Sequence, residues 1–160
     1  MTGPNPPVGS SRTAAIRELR PWAVLIGSLV DNLGTTLWGL AWFAMRGVPV
    51  ASETPPAELQ RGIDTLMQST ADAAALLAIG MGFVVIGAYA GGRLAKNAPM
   101  LNGFAVSVVS LVVSIINEFL GTGAAPLWYS IIGYALVLPA GWAGGVLARA
   151  HFRRVASSGP

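Results

Sequence analysis

The sequence predicts an all-α membrane protein with four transmembrane helices arranged as two tandem helical hairpins. Three observations predict it. Of 160 residues, 53% are apolar and only 11% are charged, with 20 glycines, a balance that suits a small polytopic bundle better than a soluble domain. Four apolar runs, at about 22–45, 71–94, 100–121 and 127–148, each reach the roughly 20 residues that a helix needs to cross a hydrocarbon core of about 30 Å. Arg12, Arg17, Arg20, Arg93, Lys96, Arg149, Arg153 and Arg154 fall on one side of that topology, and only Arg46 and Arg61 on the other. By the positive-inside rule, both termini and the turn between spans two and three are cytoplasmic.

Residues 1–13 are rich in Pro, Gly and Ser without an apolar period and read as a disordered cytoplasmic tail, with a short juxtamembrane segment to residue 20. Pro21 suits the first turn of a helix, where its missing N–H would have no partner anyway. The first span is too long for a signal-peptide core, and it ends in Ala41-Trp42-Phe43-Ala44-Met45 without a small-x-small cleavage site, so it is expected to be retained. The outer loop, 46–70, contains a helix start at Thr54, Pro55, Pro56 and Glu58, with Leu59, Ile63 and Leu66 on one face. That helix either lies on the membrane surface or runs directly into span two. A basic turn at 93–99 leads to span three, a brief turn at 121–126 leads to span four, and residues 149–160 form a basic cytoplasmic tail. The five tryptophans, Trp22, Trp38, Trp42, Trp128 and Trp142, mostly fall toward span ends, as interfacial anchors do.

The end of span two, Tyr89-Ala90-Gly91-Gly92-Arg93-Leu94-Ala95-Lys96, matches the end of span four, Trp142-Ala143-Gly144-Gly145-Val146-Leu147-Ala148-Arg149. This internal repeat is the basis for reading two hairpins in the same orientation. Small residues, Gly80, Gly87 and Gly91 in span two and Gly133 and Gly144 in span four, are the expected helix-packing positions, because in lipid close backbone approach replaces the hydrophobic drive for association. Pro139 is expected to kink span four.

Polar residues in the spans are the anomaly. Asp31 sits near the middle of span one, where an ionised carboxylate costs about 2.5–3.5 kcal/mol on insertion scales. Ser28, Asp31, Asn32, Thr35, Thr36 and Gly39 form one stripe of span one. In span three, Gly103, Ser107, Ser110, Ser114, Asn117 and Gly121 recur at helical spacing. Two meanings compete. In one, these groups join helices, with contacts averaging only about 0.6 kcal/mol each. In the other, Asp31, Asn32, Ser28, Thr35, Ser107, Ser110, Ser114 and Asn117 line a hydrated path in which Asp31 exchanges a proton or holds a cation. Asp72 and Glu118 belong near the outer interface, or line a vestibule if spans two and three are neighbours.

Enzyme chemistry finds little support. The chain has no cysteine, its one histidine, His151, lies in the basic tail against anionic headgroups, and it carries no phosphate-binding loop or metal-ligand spacing. No cofactor, metal or nucleic acid is expected, and the partners are the lipid bilayer and either a second copy or another membrane protein. Gly27-Ser28-Leu29-Val30-Asp31-Asn32 and the following residues to Gly39, with the stretch from Gly87 to Val106, resemble small four-span bacterial inner-membrane proteins of unknown function. Those carry a Gly-x-x-Val-Asp-like first helix and a Gly-Gly-x-x-Ala-basic turn closed by His-Gly or Asn-Gly, here Asn102-Gly103. The resemblance implies a bacterial inner-membrane location and no established activity. The leading expectation is a non-enzymatic component that acts through helix packing with itself or a partner. The alternative is a proton- or cation-linked small-solute transporter or channel that uses Asp31.

Overall fold

The structure, a computed structural model, describes residues 18–120 and 125–157. The expected disordered tail and Gly121 lie outside the described residues. Among the described residues five helices form: α1 (Pro21–Met45), α2 (Pro56–Met67), α3 (Thr70–Ala95), α4 (Pro99–Leu120) and α5 (Leu127–Ser157). All but α2 are long and apolar enough to cross a membrane, and among the described residues there is no strand, so the chain is an all-α, four-span membrane protein.

Helix boundaries follow local chemistry. Pro21 opens α1 as expected. At its other end Gly47 takes φ 78°, and the Val48 N–H donates to the Phe43 carbonyl at 2.9 Å while the Gly47 N–H donates to Ala44 at 3.1 Å. This Schellman closure uses glycine because a side chain resists that φ. The loop helix does not run into span two. It stops at Met67, and Ser69 caps α3 by accepting the Asp72 N–H at 3.3 Å. The basic segment after Ala148 departs from the expected boundary, because α5 continues to Ser157. Its 31 residues extend roughly 46 Å at 1.5 Å per residue, longer than the about 30 Å hydrocarbon core. The helix is continuous through Pro139.

The four long helices pack as a rhombus. Helices α3 and α4 touch across the short diagonal, each also packs against α1 and α5, and α1 and α5 occupy the far corners. The expected hairpin pairs, α1 with α3 and α4 with α5, are antiparallel neighbours. Glycine contacts set their register: a methyl group on Gly27 would come within 2.6 Å of the Gly87 carbonyl oxygen, and one on Gly103 within 2.7 Å of the Gly145 Cα. The second glycines of the repeated motif both abut the first residues of α4. A methyl group on Gly92 would stand 2.7 Å from the Pro99 carbonyl oxygen, and one on Gly145 would stand 2.9 Å from the Met100 Cα.

At the end of the bundle near Arg20, Asn102 is fully buried and its amide is fully used. Its Oδ1 accepts the Arg20 N–H at 2.8 Å, and its Nδ2 donates to the carbonyls of Ala98 at 2.9 Å and Glu18 at 3.3 Å. This clamp ties the entrance of α1 to the first turn of α4. Asn102→Leu is expected to lower stability by about 1–3 kcal/mol, because it removes the buried amide that joins the Arg20 N–H and the Glu18 carbonyl to α4. A denaturation midpoint equal to that of the parent protein would refute the clamp.

Candidate functional site

Asp31 is positioned by small residues. On α1 the buried residues are Ala23, Gly27, Ser28 and Asp31, a narrow stripe, while Leu25, Leu29, Leu33 and Leu37 on other faces are exposed as lipid-facing residues are. A methyl group on Gly87 would lie 2.5 Å from the Gly27 carbonyl oxygen and 2.8 Å from the Asp31 Cβ, and one on Gly91 would lie 3.0 Å from the Ala23 carbonyl oxygen. Only bare backbone on α3 therefore lets α1 come close enough to turn Asp31 into the bundle.

The carboxylate of Asp31, 4% exposed, meets two hydroxyls. Ser110 on α4 donates its Oγ–H to Asp31 Oδ2, and Thr35 on α1 donates to Oδ1 at 3.4 Å. Ser110 Oγ also lies 3.1 Å from the Val106 carbonyl oxygen. That second acceptor matters chemically. With Asp31 ionised, Ser110 donates to it; with Asp31 protonated, the acid donates to Ser110 Oγ, which turns its own hydrogen to Val106. The Asp31–Ser110 hydrogen bond thus persists in both protonation states, which suits a site that gains and loses a proton.

Asp31 and Ser110 border a cavity of about 370 Å³ that reaches toward the loop end of the bundle between all four spans. Its walls are Asn32 and Thr35 of α1, Leu77, Gly80, Met81 and Val84 of α3, Leu111, Ser114, Asn117 and Glu118 of α4, Ala125 before α5, and Tyr129, Ser130, Gly133, Tyr134 and Val137 of α5. At the loop end Glu118 accepts hydrogen bonds from Tyr134 and, at 3.0 Å, from Ser130, two residues one helical turn apart. Two carboxylates line the cavity, and no Lys, Arg or His among the described residues does. A second cavity of about 350 Å³ under Ile63 and Met67 of α2 shares Thr35, Gly80, Ala125 and Tyr129 with the first, so the two adjoin. Among the described residues no three His, Asp or Glu side chains gather as a metal would need.

The expected site residues divide at the level of Asp31. Asp31, Asn32, Thr35, Ser110, Ser114 and Asn117 line the cavity, and the Asn32 Nδ2 also donates to the Ser28 carbonyl at 2.8 Å. Ser28 and Ser107 do not line it, contrary to expectation. Ser107 is buried where the missing side chain of Gly141 admits it, and it donates to the Phe104 carbonyl at 2.7 Å; Ser28 is buried with its hydroxyl unpaired. Among the expected packing glycines, Gly87, Gly91 and Gly144 sit at close backbone contacts. Gly80 and Gly133 instead line the cavity, where methyl groups would stand 3.8 Å from Thr35 Cγ2 and 3.5 Å from Leu77 Cδ1. The helices thus close at one end and part at the other.

Asp72 is not part of this cavity. It pairs with Arg46 at 2.5 Å, and the Arg46 guanidinium lies over the Trp42 ring, 5.2 Å from its centroid. The α5 contribution, Tyr129, Ser130 and Tyr134, went unread in the sequence. Ser130, Tyr134 and Val137 recur at helical spacing, a signal that a search of span four for small residues passes over. Comparison with protein-family models, with curated proteins and with solved structures finds no match for this chain, so its function is read from its own geometry.

Proposed function

We propose that the protein carries protons or small cationic solutes, as a transporter or channel in which Asp31 is the coupling site and the cavity above it is the vestibule. The carrying observation is a buried carboxylate that keeps its bond to Ser110 in either protonation state and stands at the base of a cavity whose polar groups, set among apolar side chains, are two acids, hydroxyls and amides, with no base among the described residues. Such a lining lowers the potential for a cation and raises it for an anion. The close-packed half beneath Asp31 supplies the barrier that a coupled pathway needs between its two sides. With Arg20, Arg93, Lys96, Arg149, Arg153 and Arg154 at the closed end, the positive-inside rule orients that end to the cytoplasm, and the vestibule opens outward. A bacterial inner membrane is the setting this reading favours.

Because the chain has no cysteine, single cysteines report water directly. Thr35→Cys, Ser114→Cys and Asn117→Cys are expected to react with a membrane-impermeant thiol reagent from the outside only, and Ser107→Cys from neither side. Protection of all four positions, with a reactive cysteine control in the outer loop at Ser52, would overturn the vestibule and restore a packing role with a partner.

A further inference from the structure

We infer that the groove between α3 and α5 at the cytoplasmic end is a seat for one anionic phospholipid, independent of the vestibule. The groove, about 390 Å³, is lined by Val85, Ile86 and Tyr89 of α3 and by Leu147, Ala150, His151 and Arg154 of α5. Both helices run toward the same end, so these residues are ordered by depth. The close approaches of Gly144 to Ala88 and of Gly92 to Ala148 set the register, so Val85 and Ile86 are deepest, Tyr89 and Leu147 come next, and His151 and Arg154 are outermost.

The order matches the chemistry of a phospholipid. The aliphatic rungs meet an acyl chain, and the polar and cationic groups meet a phosphodiester at headgroup level. The Tyr89 and His151 rings pack edge to face, with centroids 6.3 Å apart, which fixes the imidazole at the rim of the groove. The continuation of α5 past Ala148 makes this possible, because it carries His151 and Arg154 on a rigid helix beyond the end of α3 at Ala95. Arg149 donates to Met100 Sδ at 3.3 Å and is directed toward α4, away from this groove. The positive charge of Arg154 selects an anionic headgroup over a zwitterionic one, and the depth of the aliphatic wall selects a lipid over free phosphate.

The test is native mass spectrometry of the full chain released from detergent containing equal phosphatidylglycerol and phosphatidylcholine. The parent protein is expected to retain one phosphatidylglycerol in preference to phosphatidylcholine. The double substitution His151→Gln with Arg154→Gln is expected to lower that retention roughly fivefold, the scale expected when one cation near the surface is lost. Ile86→Trp, which fills the aliphatic wall at a half-exposed position, is expected to lower it comparably without changing charge. Arg153→Gln, exposed and outside the groove, is expected to leave it unchanged. Equal retention of the two lipids, an Arg153→Gln loss as large as the double variant's, no effect of Ile86→Trp, or displacement of the lipid by millimolar glycerol phosphate would each overturn the assignment.

Discussion

Replacing Gly87 with leucine is expected to dismantle the bundle, whereas replacing Gly133 with leucine is expected to leave it assembled and block the cavity. Both residues are glycines on apolar spans, and composition does not separate them. At Gly87 even a methyl group would stand 2.5 Å from the Gly27 carbonyl oxygen and 3.1 Å from the Asp31 nitrogen, both backbone atoms that no rotamer change can move. The side chain must push α1 away from α3. The expected cost is at or above the upper end of the about 1–3 kcal/mol usual for overpacking, seen as a lowered unfolding midpoint and loss of a monodisperse species. At Gly133 the nearest atom to a methyl group is a flexible leucine terminus at 3.5 Å, and the rest is cavity. Its leucine variant should elute and unfold as the parent does, while losing solute-dependent flux in proteoliposomes. Equal stability of the two variants would refute the division of the bundle into a packed half and an open half.

Asp31→Asn is expected to remove function and spare the fold. The amide has nearly the same shape as the carboxyl and still accepts from Ser110 or Thr35, so the contacts across α1 and α4 persist. What disappears is the charge. A charge-assisted contact to a bound cation contributes about 1.5–3 kcal/mol, so proton- or cation-dependent flux should fall roughly tenfold to a hundredfold. The size-exclusion profile and unfolding midpoint should stay with the parent. Ser110→Ala provides a second reading of the same site. It keeps the charge and removes the hydroxyl that serves both protonation states, so it should slow flux without abolishing it. If Asp31→Asn lost assembly together with flux, Asp31 would be a packing residue.

The four spans, their order and their polar stripes were legible in the sequence because each depends on local physics. Length and apolarity decide whether a helix crosses lipid, and helical spacing alone puts Ser107, Ser110 and Ser114 on one face. The anomaly at Asp31 was legible for the same reason, since the cost of a carboxylate in a span depends on its depth along one helix. Tertiary structure alone decided which half of each stripe is filled and which half lines space. Ser107 and Ser110 are three residues apart on one face; Gly141 opposite lets the first pack, and Asp31 opposite gives the second a hydrogen-bonding partner. Gly80 and Gly87 look alike in the sequence, yet one faces a cavity and the other a neighbouring backbone. Those outcomes depend on how far apart two helices lie at a given height, which no single helix encodes. The pairing of Asp72 with Arg46 and of Glu118 with Tyr134 belongs to the same class: each links residues far apart in the chain, and only the packed bundle brings them together.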